Sequence, residues 1–105
     1  GANPQNLCYT TGVGWRWPLN AMHLDSRWTR QPVPEGITVY GPWDPLANKD
    51  DWQIKLVDQF SYPKAETWPA NEAYFDGFWL PIICEFTIME SIGPNAYVCG
   101  YLANR

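Results

Sequence analysis

The sequence predicts a mainly α chain with its helices gathered in the second half, and three observations point there. Residues 51–105 carry apolar side chains at helical spacing in several runs. Residues 1–50 hold six of the ten Pro and five of the eight Gly and show no long period, so they read as an extended, loop-rich segment. Strand-like alternation is confined to short bits such as Ile37-Thr38-Val39-Tyr40. Irregular chain of that length is uncommon in a small compact domain and usually serves a function.

The helices follow in order. From Asp51 to Phe60, Trp52, Leu56, Val57 and Phe60 fall on one face, and Asp50 or Asp51 can cap the start. A second segment, Asn71 to Leu80, lies between Pro69 and Pro81. From Ile82 to Ile92 the chain is apolar nearly all round, which predicts a buried helix. Gly93-Pro94 then predicts a break or kink, leaving Asn95 to Ala103 as a last short helix whose Ala96 and Gly100 permit close packing. There is no internal repeat and no low-complexity tract.

Composition narrows the function classes. Seven Trp, six Tyr and four Phe in 105 residues argue against disorder and call for burial by a partner or for a ligand to stack on. The net charge of −4 comes without any Lys/Arg run, which argues against a nucleic-acid partner. The longest mainly apolar run, Phe78 to Ile83, is far too short to span a membrane. Gly1-Ala2-Asn3-Pro4 has none of the marks of a signal peptide. Cys8, Cys84 and Cys99 fit neither a disulfide framework nor a zinc pattern; they read as free thiols, which leans toward a reducing compartment without fixing one. No metal or other cofactor is expected.

The motifs are Asn3-Pro4, then Tyr9-Thr10-Thr11-Gly12-Val13-Gly14-Trp15-Arg16, Met22-His23-Leu24-Asp25-Ser26-Arg27, Tyr74-Phe75-Asp76 and Glu85-Phe86-Thr87. In order and rough spacing they resemble the C-terminal part of the catalytic domain of family 9 glycoside hydrolases, the cellulase family with an (α/α)6 barrel. The resemblance covers nearly the whole chain. It implies one C-terminal fragment of a single catalytic domain, with residues 1–50 as a loop-rich, substrate-contacting segment and residues 51–105 as barrel helices.

Residue by residue, the family's acid has an aromatic eleven positions before it, an Asp nine before it and a small residue two after it. Glu85 meets these with Tyr74, Asp76 and Thr87. The family's aromatic four positions before the acid is replaced here by Pro81, and Ser91 and Gly93 match the downstream pattern only loosely. Glu72, in Asn71-Glu72-Ala73, is the rival. The resemblance therefore implies Glu85 as the general acid, and implies His23 and Arg27 as groups that bind sugar hydroxyls beside the scissile bond. The family's usual His-x-Arg is altered, since Asp25 takes the Arg position and Arg27 follows two later.

The chemistry asks for these residue types. Hydrolysis of a glycosidic bond needs one protonated carboxyl at the leaving oxygen and a second carboxylate to activate water or attack. Apolar neighbours favour a neutral acid, and Glu85 has Ile82, Ile83, Cys84, Phe86 and Ile88 around it in sequence. Trp15, Trp17, Trp28 and Trp43, all in the loop half, offer flat apolar faces on which sugar rings stack; one or two of the four are expected to face substrate, with Trp15 and Trp17 as the choice. The family's base sits in an Asp-x-Gly-Asp setting that this chain does not contain. The fragment alone is therefore expected to be inactive, with the missing N-terminal part of the domain and a β-linked oligo- or polysaccharide as its partners. The expected activity of the whole is endoglucanase-like cleavage of β-1,4 glycans with inversion. Asp25 raises the alternative of an exo-β-glucosaminidase on chitosan oligosaccharides, because a carboxylate suits a cationic amino sugar. A different class, a non-catalytic aromatic-rich carbohydrate-binding module, fits the composition too.

Overall fold

A computed structural model describes residues 5–69 and 72–104. Among these residues are four α-helices: α1 (Leu24–Thr29), α2 (Trp52–Phe60), α3 (Pro81–Cys84) and α4 (Ile88–Ala103), with a 3₁₀ turn at Ala65–Thr67 between α2 and α3. No β-strand forms among the described residues, and pairing is limited to three isolated bridges. The mainly α reading of the sequence is sound at this level.

α2 forms where the periodicity places it. The Asp51 carboxylate accepts from the Gln53 N–H at 2.7 Å and so satisfies one of the amides that a helix start leaves unpaired. Ile54 and Val57 enter the core, while Trp52 and Phe60, two of the four residues expected on the buried face, stay largely exposed. The core gathers Ile54 and Val57 of α2, Ile83 and Cys84 of α3, Leu80, and residues of extended chain such as Ala21, Val39, Trp43, Ala73 and Tyr74. Loops, more than other helices, thus supply what the helices pack against.

Three sequence expectations need correction. Residues 72–80 are turns and extended chain, not a helix, and Asn71 lies outside the described residues. Ala73 instead bridges Trp43, whose N–H donates to the Ala73 carbonyl at 3.2 Å. The continuous helix expected from Ile82 to Ile92 is broken at residues 85–87. Three successive carbonyls are taken by distant chain there: Met22 N donates to Cys84 O at 2.8 Å, Gly41 N to Ile83 O at 2.9 Å and Tyr40 N to Glu85 O at 2.9 Å. Those bonds compete with helical propagation and win. Finally, α4 runs through Gly93 and Pro94 without ending. A proline removes one backbone donor, and the remaining turns carry the helix. α4 is also not buried: Ile88, Met89, Ile92, Tyr97, Tyr101 and Leu102 are all exposed. Asn95 ties it to the loop half, accepting from Thr38 Oγ1 at 3.0 Å and donating to Gly36 O at 3.2 Å.

The loop half is pinned rather than loose. Residues 9–11 pair with residues 36–39 through Thr11 N to Ile37 O, Gly36 N to Thr11 O and Val39 N to Tyr9 O, at 2.9–3.1 Å. The buried Thr11 hydroxyl donates to Pro34 O at 2.6 Å and accepts from Ile37 N at 3.0 Å. Gly12 follows with φ +76°, and a Cβ there would lie 2.5 Å from Glu35 Cγ, so the position requires glycine twice over.

Cys84 and Tyr74 form a buried polar pair beneath this surface. Their Sγ and phenol oxygen lie 3.8 Å apart, and Cys84 Sγ also donates to Phe75 O at 3.5 Å. Burial pushes the Cys84 thiol up from 9.0 to about 11 and raises the Tyr74 phenol well above its ordinary value. The unfolded chain therefore loses the Cys84 proton at lower pH than the folded one, so stability contributed by the neutral thiol falls as pH rises from about 9 to about 11. Thermal unfolding of the protein across that range is expected to show a falling Tm, with a smaller fall in Cys84→Ala.

Candidate glycan-binding site

Two of the groups singled out in sequence lie on adjacent backbone, although Glu85 lines neither of the clefts formed by His23 with Arg27 and by Trp15 with Trp17. His23 and Glu85 are brought to neighbouring segments by the Met22 N to Cys84 O bond, and the His23 ring stacks on Phe86 at 6.4 Å between centroids with 23° between planes. Glu85 itself is half-buried, in extended backbone just after α3. It occupies the turn between α3 and α4, not the first turn of a continuous last helix.

His23 caps α1. Its Nδ1 accepts from Ser26 N at 3.2 Å and lies 2.8 Å from Ser26 Oγ. An Nδ1 that accepts from a backbone amide leaves the proton of a neutral imidazole on Nε2, so the ring offers an N–H donor suited to a hydroxyl or an anion. Arg27 follows in the last turn of α1, with its guanidinium over the Phe78 ring at 5.1 Å from the centroid. Asp25 is exposed in the first turn of the same helix, where a carboxylate is favoured by the helix dipole.

His23 and Arg27 line one cleft of about 370 Å³ together with Asn20, Ser26, Arg30 and Phe78. Trp15 and Trp17 line a second, of about 420 Å³, together with Arg16, Tyr74, Phe75 and Asp76. Trp15 and Trp28 are 91% and 80% exposed, as a stacking platform requires, whereas Trp17 is 36% exposed and Trp43 is buried in the core, which removes it as a platform. Leu19 borders both clefts. The predicted sugar-binding residues thus form two adjoining sets, with Asp25 in neither. Glu72 lies apart from His23, in the neighbourhood of Gln5, whose Nε2 donates to the Glu72 carbonyl at 3.3 Å, and of Tyr9, whose phenol is raised by burial and by the Glu72 charge.

Asp76 is the residue whose work the sequence left unseen. Its two carboxylate oxygens accept from Leu19 N at 2.9 Å and Asn20 N at 3.0 Å, and it also receives Asn20 Nδ2 and the Tyr74 hydroxyl at 3.3 Å. A single carboxylate thereby clamps the stretch between Trp17 and His23 onto residues 74–76, across 56 positions of sequence. Asp76→Ala leaves two backbone amides without their acceptor and is expected to destabilise the protein by about 1–3 kcal/mol. Denaturant unfolding measures that loss, and Asp76→Asn, which keeps one carbonyl acceptor, should recover part of it.

Comparisons with family models, with curated proteins and with solved structures return no match to this chain. Among the described residues no group of three or more His, Cys, Asp or Glu side chains could hold a metal, and no helix is long and apolar enough to cross a membrane. Cys8, Cys84 and Cys99 are free cysteines.

Proposed function

We propose that this chain is the C-terminal part of the catalytic domain of a family 9 glycoside hydrolase with an (α/α)6 barrel, acting on β-1,4-linked glycans. Glu85 serves as general acid; His23, Arg27 and Trp15, with Trp17 beside it, hold the sugars. The observation that carries this reading is the juxtaposition of the Glu85 turn with His23, residues 62 positions apart in sequence, joined by a backbone bond of 2.8 Å one residue before each.

In the inverting course that the resemblance implies, Glu85 gives its proton to the leaving oxygen while a carboxylate on another part of the domain activates water on the opposite face of the sugar. His23, through Nε2–H, and Arg27 hold hydroxyls next to the bond that breaks. The exposed apolar side chains of α4 suit a helix packed against further barrel helices rather than against solvent. A self-standing binding module would instead bury them on its own core.

Assay of the full-length protein on cello-oligosaccharides and on chitosan oligosaccharides tests the proposal. Cleavage of the glucan with inversion supports it; release of glucosamine alone moves the substrate to amino sugars; cleavage of neither removes the hydrolase. Asp25, the residue that favoured the amino sugar, lies outside the lining of both clefts.

A further inference from the structure

We infer that the cleft beside α1 binds an anionic group, a carboxylate or sulfate ester, carried by a sugar unit of the substrate. The sugar as carrier rests on the function proposed above; the preference for an anion rests on the cleft itself.

The lining is one-sided in charge. Arg27 and Arg30 both contribute, with His23, Ser26, Asn20 and Gln31 as further polar groups, and no carboxylate lines the cleft. This concentration of cations stands out in a chain of net charge −4. Arg27 lies in the last turn of α1 and Arg30 is the residue that ends it, and both line the same cleft. The Phe78 ring supports the Arg27 guanidinium from one side, leaving its N–H edges to a ligand. Arg30 occupies the left-handed residue that ends α1, at φ 58°, a place where helices commonly use glycine. A sugar hydroxyl needs one donor or acceptor at a time; two guanidinium forks and an imidazole N–H match an oxyanion with several lone pairs. A cationic amino sugar would meet like charge here.

Titration of the full-length protein with inorganic sulfate, with a β-1,4 disaccharide ending in glucuronate and with neutral cellobiose separates the possibilities. Saturable binding of sulfate and of the acidic disaccharide is expected, both weakened about tenfold or more in Arg30→Gln and partly restored in Arg30→Lys. The acidic disaccharide should bind about tenfold tighter than cellobiose, and raising the salt concentration should erode that margin. Sulfate binding with no cleavage of any glycan supports the anion site while removing the hydrolase reading. Equal affinity for acidic and neutral disaccharides, or sulfate binding indifferent to Arg30→Gln, overturns the inference and leaves the hydrolase reading standing.

Discussion

Glu85→Gln in the full-length protein is expected to lower turnover by about 10²–10⁴-fold on glycans with poor leaving groups, while Glu72→Gln changes it little. Glutamine keeps the shape of the side chain and its place after α3 but has no acidic proton to deliver. The loss should shrink on aryl glycosides, whose leaving groups depart without protonation, and steady-state kinetics on the two substrate types measures the contrast. The asymmetry between the two glutamates follows from placement. Glu85 immediately precedes Phe86, on which His23 stacks, whereas Glu72 neighbours Gln5 and Tyr9. A large loss from Glu72→Gln with a mild one from Glu85→Gln would sink the assignment.

Gly41→Ala is expected to cost about 3 kcal/mol and to damage the site together with the core. A Cβ at position 41 would run into Ile83 Cγ2 and stand 2.9 Å from Tyr74 Cδ2, and neither ring nor branched side chain has room to retreat from the core. The chain at Gly41 would have to withdraw. That movement strains the Gly41 N to Ile83 O and Tyr40 N to Glu85 O bonds, which hold the turn carrying Glu85. Denaturant unfolding should show the lost stability. Kinetics on the folded fraction should show lower kcat, because the proposed acid, Glu85, is displaced. The same substitution at Gly36, where a Cβ meets nothing within 4 Å but φ is +87°, brings backbone strain without a clash.

Much of the local structure was legible in the residues. The start of α2 could be read to within one residue, Asp50 or Asp51, because capping is a contest settled within three residues, and Asp51 is the cap. The turn at Thr11-Gly12 packs against the loop carrying Glu35, a partner that no local pattern announces. The break at residues 85–87 was hidden because Ile82 to Ile92 has a helical composition throughout. What stops the helix is a set of carbonyl bonds to residues 22, 40 and 41, and no local pattern announces bonds made across 40 or 60 positions. The helix foreseen up to Leu80 failed for a similar reason, with Ala73 held by Trp43 and Asp76 by Leu19 and Asn20. In the candidate site, His23, Arg27 and Glu85 stood out only through the family resemblance of the motifs that carry them. Arg30 and Phe78 did not, because their part depends on how α1 lies over residue 78.

In the reading proposed above, the ring of His23 has two tasks, of which the first is structural. One nitrogen is committed to starting α1, and the other is what remains for a ligand. Asparagine or serine could begin the helix as well, and arginine or lysine could reach a sugar oxygen as well, yet none of these does both from one side chain. A change at position 23 is thus expected to be felt in the placement of Arg27 and Arg30 even before any ligand arrives.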